Sequence, residues 1–477
     1  MSQQDSKWTR RQMIKAGSVS LLGGSSLLSP FGMHAIGSGK DKKYLFVFCG
    51  LGGAAINESF LATSKGPTGY GSEVEQVRGT PFSAVKPQEH SIVGRIPMGN
   101  GYAQKTFVTK HHQNMVVMCH EVSSVNHQIA SKRAVTGDNI NSGRTIQEAV
   151  AHDFGGSCII PNMSLAGAEY GEAGTDYRLP DVARPEQIAD SLMLAFATHG
   201  FKGLRQPVTS SEMAEIRKLR FALEKVSRFG DRYGSTDIVR NYVINRENLV
   251  ESIEAGNLVT KLNVTKNTSS SFDLQLSPDF SKVIEVFPNL HKDPLEANAA
   301  MAYLLTKNSI SNAVTIAPRR SALLEASGTP NAPIGFDWSH RDHRGGQHVM
   351  WSYILKSMDG LITLLKTTDV DGDPSKGKMW DRSFIYLATE FGRDKVKSGG
   401  SGHNMNNGSL MISPMLKGNQ VFGGIDQSTG LTYGFDPNTG APNRSAKLGR
   451  EGDVYSVIAQ AFGIEFKKRR DKPAMMG

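Results

Sequence analysis

Lys43-Tyr-Leu-Phe-Val-Phe-Cys49 is an almost wholly apolar run that is followed directly by Gly50-Leu-Gly-Gly53. An apolar run that ends in a glycine turn is typical of a buried strand at the start of a parallel α/β sheet. Asn114-Met-Val-Val-Met-Cys119 repeats the pattern, and small polar residues follow it. The chain is therefore predicted to contain strands that are buried on both faces.

Strand-like and helix-like segments alternate along the rest of the chain. Four further apolar segments predict strands, at 158–165, 313–317, 383–388 and 409–412. Segments with helical periodicity accompany them, at 127–133, 145–152, 294–307 and 347–365. This alternation predicts an α/β fold with a doubly wound, mostly parallel sheet, in which ligands bind beyond the carboxyl ends of the strands.

Two long, charged segments, Glu212–Arg228 and Ile238–Ala255, interrupt this alternation. Their helical periodicity predicts a helical insertion around 210–260. In the first segment, four apolar residues form one stripe that is expected to pack against other helices: Ile216, Leu219, Leu223 and Val226.

Composition indicates an ordinary globular chain, with 39% hydrophobic residues and a formal net charge of +9. The charge is too diffuse to indicate nucleic-acid binding, but it permits attraction to anionic substrates. Cys49, Cys119 and Cys158 lie in apolar surroundings, so they are expected to be buried strand thiols rather than a disulfide framework.

The first residues predict export. Thr9-Arg10-Arg11-Gln12-Met13-Ile14-Lys15 is a twin-arginine motif, and a weakly apolar run from Ala16 to Pro30 follows it. A small-residue cleavage point after Ala35 predicts a signal peptide over 1–35 and a mature domain over 36–477. We therefore expect recognition by the twin-arginine export machinery and a periplasmic or secreted protein. No later segment approaches the roughly 20 apolar residues of a transmembrane helix.

Carboxylate and imidazole groups are dense in Gly335-Phe-Asp-Trp-Ser-His-Arg-Asp-His343. Such groups bind divalent ions such as zinc, manganese or calcium, although Asp and His also cap helices and occur in polar loops. Asp337 and His340 are the first candidates for metal ligands. Asp342 and His343 form the competing pair, and spacing alone does not decide between them.

Two later segments carry further candidates. Glu390 follows a predicted strand directly and is either a metal ligand, a buried partner of Arg393 or a helix cap. His403 lies in a glycine-rich loop, where an ordered imidazole needs a partner such as a metal ion. Arg393 could bind an anionic oxygen with two hydrogen bonds, or it could pair with Glu390.

Together with the leader and the strand–glycine opening, these motifs resemble the DUF1501 family of exported bacterial proteins, which is related to the alkaline phosphatase and sulfatase superfamily. The motifs that carry the resemblance are Phe336-Asp-Trp-Ser-His340, Thr389-Glu-Phe-Gly-Arg393 and Ser401-Gly-His-Asn404. The resemblance implies an alkaline-phosphatase-like three-layer sandwich and a site for one or two divalent ions. It also implies that the ligands are Asp337, His340, Glu390 and His403.

A nucleophile would follow the second strand, at a helix N-terminus that favours an anion. In the superfamily a metal-activated Ser or Thr occupies that place, and Ser123 and Ser124 are the hydroxyls available here. The alternative is that these serines cap the helix. His127 would then bind substrate or support a metal ligand.

The sequence departs from the family pattern at the first strand. Ala55 stands where the family has an aspartate, which would be the first metal ligand, and Asn57 or Glu58 are the candidate replacements. The favoured expectation is metal-dependent, in-line hydrolysis of phosphate or sulfate esters, on a small or polymeric anionic substrate. The alternative is an exported binding or assembly protein that keeps the fold without catalysis.

Overall fold

The computed structural model describes residues 41–66, 69–86, 104–165, 169–195, 210–236, 258–266, 275–318, 335–396 and 398–477. The predicted leader over 1–35 and the amphipathic segment 238–255 lie outside these residues. The described chain forms two compact units. The larger unit lies within Ile36–Leu179, Ala183–Ser191 and Lys282–Gly477, and the smaller within Pro180–Val182 and Leu192–Ser281.

Strands are numbered in chain order. They are β1 (Tyr44–Gly50), β2 (Val74–Gln76), β3 (Ser83–Val85), β4 (Met115–Glu121), β5 (Asn162–Leu165), β6 (Glu186–Ile188), β7 (Ala313–Ile316), β8 (Ser383–Thr389), β9 (Gly392–Arg393), β10 (His403–Asn404), β11 (Asn406–Ile412), β12 (Gln420–Phe422), β13 (Gly424–Ile425), β14 (Thr432–Phe435) and β15 (Pro442–Asn443).

An eight-stranded sheet in the larger unit has the order β12-β4-β11-β8-β1-β7-β5-β6. Its strands run parallel except β11, which pairs antiparallel with both β4 and β8. All residues of β1 and β8 are buried, as the apolar runs predicted for a sheet covered on both faces. The prediction of an α/β fold with a mostly parallel central sheet is confirmed.

Helices are also numbered in chain order. They are α1 (Ile56–Phe60), α2 (Gln104–His111), α3 (His127–Thr136), α4 (Ile146–Phe154), α5 (Ser210–Val226), α6 (Arg228–Tyr233), α7 (Leu258–Leu262), α8 (Phe280–Val286), α9 (Pro294–Lys307), α10 (His343–Lys366) and α11 (Glu451–Phe462). Within the described residues, no helix is long and apolar enough to cross a membrane.

The starts of the main helices follow from local capping. Asn126 accepts a hydrogen bond from the backbone of Ile129 and caps α3, and Thr145 forms a capping box with Glu148 at the start of α4. Gly137 ends α3 in the left-handed conformation, with φ of 60°. Such a turn favours glycine because it has no Cβ.

Helix α10 begins four residues before the predicted start at 347. Asp342 accepts a hydrogen bond from Gly345 N and caps the helix there. Gly346 allows close packing in the first turn, since a Cβ on it would lie 2.6 Å from the Cβ of Trp338. A strand predicted over 158–165 begins only at Asn162.

Two expectations about apolar side chains were wrong. Cys158 lies half-buried in a turn rather than in a strand, while Cys49 and Cys119 are buried in strands as predicted, and none of the three forms a disulfide. The stripe on α5 does not pack as expected. Its side chains are 49 to 79% exposed: Ile216, Leu219, Leu223 and Val226.

The N-cap of α9 gives a testable pH dependence. Asp293 is buried and accepts a hydrogen bond from Leu295 N, and burial, with the nearby Glu296 carboxylate, raises its pKa to about 6. Because this pKa exceeds the unfolded value, the folded chain binds more protons between roughly pH 4 and 6. The free energy of unfolding therefore falls as pH rises through that window.

We expect Asp293→Asn to remove this dependence while keeping a capping oxygen. The variant should be more stable than the wild type by about 1–3 kcal/mol at pH 7.5, and nearly equal to it at pH 4. Urea unfolding of both proteins at the two pH values measures the difference. A difference that does not change with pH would contradict the assignment.

Candidate metal centre

Four strands, β1, β4, β8 and β11, each have one end at the same edge of the sheet. β1 ends at Gly50 and β8 at Thr389, and because these strands are paired in parallel their carboxyl ends lie together. β4 ends at Glu121, and the reversed strand β11 begins beside it, with Asn406 opposite Glu121. The start of α3, the 3-10 helix Phe336–His340 and strand β10 thereby approach one another.

Three imidazoles from these segments converge. A nitrogen from each of His127, His340 and His403 lies within 4.8 Å of the other two, and this is the group of possible metal ligands found among the described residues. His340 Nε2 and His403 Nε2 are 3.0 Å apart. In a tetrahedral zinc site with Zn–N distances of about 2.0–2.1 Å, ligand nitrogens are separated by about 3.4 Å. The cluster therefore fits a divalent ion with small adjustments.

The remaining ring nitrogens of two histidines are held by other groups. His127 Nδ1 lies 2.6 Å from Glu390 Oε2, and His403 Nδ1 lies 2.9 Å from the carbonyl oxygen of Val125, to which it donates. Phe391 stacks on the His403 ring at 4.0 Å. Metal-binding histidines commonly have such partners, which fix the tautomer and leave the other nitrogen free for the ion.

The electrostatics also favour ligand behaviour. Burial and the nearby Arg393 guanidinium lower the pKa of His340 and of His403, which favours the neutral form of both rings. The hydrogen bond to Glu390 raises the pKa of His127. Neutral imidazole is the form that binds metal, and an anionic partner makes a ligand imidazole more basic.

Glu390 lies directly after β8 and is 3% exposed. Gly52 N donates to Glu390 Oε2 at 3.2 Å, so the carboxylate joins the turn after β1 to His127. Burial raises the pKa of Glu390, and the hydrogen bond from His127 opposes that shift. Glu390 thus forms a hydrogen bond with the candidate ligand His127 and is not one of the three clustered donors.

Asp337 is a second carboxylate beside the cluster, on the Nε2 side of the His127 ring. Its Oδ1 lies 3.8 Å from His127 Nε2, and its side chain is 51% exposed. Arg393 Nη2 holds the same oxygen at 3.2 Å. Asp337 is therefore placed to act as a fourth ligand or as a proton acceptor beside the ion.

Arg393 is fully buried and makes its contacts within the protein. Besides Asp337, its guanidinium donates to the carbonyl oxygens of Gly52 and Ser401 and lies 3.2 Å from His340 Nε2. The sequence left open a pair with Glu390, but the ion pair is with Asp337. In this arrangement Arg393 positions the turn and Asp337, and binding a substrate anion would require it to move.

The competing pair of candidate ligands lies elsewhere. Asp342 caps α10, as the alternative interpretation of the sequence allowed. His343 is completely buried and its Nε2 lies 2.7 Å from Glu58 Oε2, while Tyr70 donates to the other oxygen of Glu58. Neither Asp342 nor His343 belongs to the three-histidine group.

Ala55 stands after β1, where the DUF1501 pattern has an aspartate. Ala55 is buried at the start of α1, and its backbone N–H donates to Gln347 Oε1 in α10. Glu58, one candidate replacement, faces His343, and the amide oxygen of Asn57, the other, lies 3.7 Å from Cys119 Sγ. Neither joins the three-histidine group.

Both candidate nucleophiles lie in the loop before α3. Ser123 donates from its backbone N and its Oγ to Glu451 Oε1, and Arg133 donates to the same hydroxyl. Ser124 Oγ accepts a hydrogen bond from Asn126 N. The helix cap is Asn126, not either serine.

The sequence predicts only a supporting or substrate-binding role for His127, yet it is one of the three converging donors. The available signal was its place after β4, at the same sheet edge as Glu390 and His403. No protein-family model matches the sequence, and no curated protein matches it. The fold and the site define an α/β protein with a three-histidine candidate metal centre.

Substitution of Gly52 tests how closely the turn after β1 packs against Asp337, beside the three-histidine group. Its φ is +83°, and a Cβ would lie 2.5 Å from Asp337 N. Gly71 is a matched control, because its φ is +59° but nothing lies within 4 Å of its Cβ position. We expect Gly71→Ala to cost about 1–2 kcal/mol through backbone strain alone.

Gly52→Ala should cost more than that and should also weaken binding of a divalent ion at the three-histidine group by displacing Asp337. Urea unfolding and titration with divalent ions of both variants provide the measurement. Equal stability and equal ion affinity in the two variants would show that the contact with Asp337 is unimportant.

Proposed function

We propose that this chain is an exported, metal-dependent hydrolase of phosphate or sulfate esters. The observation that carries the proposal is the convergence of His127, His340 and His403, two of which have their second nitrogen held by Glu390 and by the Val125 carbonyl. Export rests on the twin-arginine motif. An alkaline-phosphatase-like fold and DUF1501 membership belong to the same proposal, and a mostly parallel sheet with the site at its carboxyl edge supports them.

Zinc suits this donor set best. Imidazole is a good ligand for zinc, whereas calcium prefers six to eight oxygen ligands. When bound, such an ion polarises an ester oxygen and lowers the pKa of water. The protein contributes ring orientation through Glu390 and Val125, and Asp337 offers an oxygen that can receive a proton.

Water is the nucleophile that fits this arrangement best. The Ser123 hydroxyl donates to Glu451 and accepts from Arg133, so both of its main hydrogen-bonding directions are taken. Ser124 accepts from Asn126 N and lacks a described base within hydrogen-bonding distance. A proton acceptor beside the ion, Asp337, is better placed to activate water.

Phosphate and sulfate esters are the substrates proposed because the motif resemblance implies them. Without residues 1–35, which carry a net charge of +3 (four Lys or Arg and one Asp), the chain has a net charge of +6 (nine minus three), which also favours attraction of anions. The second candidate function is an exported binding or assembly protein without catalysis. It is favoured by Ala55, a buried apolar residue at the position where the related family has an acidic ligand.

Zinc content tests the centre directly. We expect near-stoichiometric zinc in the purified exported protein and loss of most of it in His127→Ala, His340→Ala and His403→Ala, because each removes one of three donors. His152→Ala is the control, since His152 lies in α4 and pairs with Asp153. Elemental analysis is the measurement, with hydrolysis of phosphate and sulfate esters assayed on the same samples.

Loss of zinc and activity together, with both retained in the control, supports the hydrolase. Zinc bound normally without hydrolysis of either ester class supports the binding protein. A wild-type protein that binds no divalent ion would overturn the proposed centre.

Glu390→Gln tests the support of His127. The amide preserves the size of the side chain but removes its charge, so the imidazole becomes a weaker donor. Mutation of such a supporting group typically lowers metal affinity by 10–100-fold. Zinc affinity measured by competition with a chelator should fall by that factor, with little change in the folded structure by circular dichroism. An unchanged affinity would show that the contact at 2.6 Å does not tune the site.

A further inference from the structure

A cavity of about 650 Å³ lies within the larger unit. Its walls come from the turn after α3, from β14, from the segment that leads into α11, and from the C-terminal tail. None of the three clustered histidines lines it. A cavity of this size is in the range that holds small organic ligands.

The lining is strongly basic. It contains two carboxylates, of Asp138 and Asp453, and five cationic side chains, so its formal net charge is +3 (five minus two). The five cations are Lys447, Arg450, Lys468, Arg470 and Lys472.

The two carboxylates are already engaged with basic groups. Asp138 pairs with Arg133, while Asp453 accepts hydrogen bonds from Arg470 and Lys472. Among the described contacts, the side chains of Lys447 and Lys468 make no hydrogen bond or ion pair. These two ammonium groups therefore remain available to a ligand, and the carboxylates add little repulsion.

Helix α11 forms one side of the cavity. It begins at Glu451, and its first turn contributes Gly452 and Asp453 to the wall. The positive end of its dipole is offset by the Glu451 and Asp453 carboxylates, and Asp453 accepts a hydrogen bond from Arg450 N. The positive potential of the cavity therefore comes from its basic side chains.

Part of the cavity is apolar. Met118, Ile140, Phe435 and Pro437 contribute to the wall, and the first three of these bring large side chains next to the basic groups. Apolar surface lined with a few charged groups is typical of a site for an organic molecule rather than for a simple inorganic ion.

We propose that this cavity binds an amphiphilic organic anion, with a phosphate, sulfate or sulfonate head on the basic wall and an apolar body against Ile140 and Phe435. The site is separate from the metal centre and does not depend on hydrolysis. Lys447 and Lys468 contact the head group.

The test uses anilinonaphthalenesulfonate, a fluorescent sulfonate that is not an ester and so is not consumed by a hydrolase. Its affinity is measured by fluorescence titration for the wild type and for the double variant Lys447→Glu/Lys468→Glu. Lys467→Glu is the matched control, because Lys467 is an exposed neighbour that does not line the cavity. All exchanged side chains are exposed, so thermal unfolding should show folded proteins.

We expect the double variant to bind the probe at least about tenfold more weakly, since two attractive charges become repulsive, and the control to bind nearly as the wild type does. His403→Ala should keep the wild-type affinity, which separates this site from the metal centre. Equal affinity in the wild type and the double variant, or equal losses in the double variant and the control, would overturn the proposal.

Competition then identifies the source of the anion. Displacement of the probe by a soluble alkyl phosphate supports a free ligand, and displacement only by vesicles that contain an anionic phospholipid supports a lipid head group. Failure of both to displace the probe would overturn the proposed ligand class.

Discussion

The hydrogen bond between Glu390 and His127 is the contact on which the arrangement of the three-histidine group depends. Glu390 is nearly enclosed, and a charged carboxylate in such a place is tolerated only when donors surround it. Gly52 N and the His127 ring supply two of them. One carboxylate thus ties the turn after β1, the end of β8 and the start of α3 together. The same contact selects which His127 nitrogen can face the ion.

The reversed direction of β11 has a comparable effect on the opposite side. In an all-parallel sheet, the segment before β11 would lie at the far edge, one strand length from Glu390. Because β11 is antiparallel, its amino end lies beside the carboxyl ends of β4 and β8. The short ribbon of β9 and β10 then pairs His403 with Arg393. The glycine-rich loop is held at both ends by sheet pairing, which orders His403.

Much of the sheet could be predicted because buried parallel strands have a strong local signature. β1 and β8 are continuous apolar runs, and each was located within one or two residues. The candidates Glu390, His340 and His403 were found because each interrupts apolar or glycine-rich sequence. Asp342 and His343 show the limit of this reasoning. They are close to His340 along the chain, but the start of α10 changes the chain direction and sends His343 toward Glu58. Sequence spacing contains no information on that direction. Nor does it show that the His127 ring, at the start of α3, lies next to His340 and His403.

Both edges of the central sheet are short. β12 and β6 have three residues each, whereas β1, β4, β8 and β11 have seven and lie inside the sheet. An edge strand exposes unpaired N–H and C=O groups, and the number of such groups sets how well another chain can add to the sheet. Three-residue edges offer a poor template for that addition. The long apolar strands that build the site are thereby kept from promoting aggregation between copies of the folded protein.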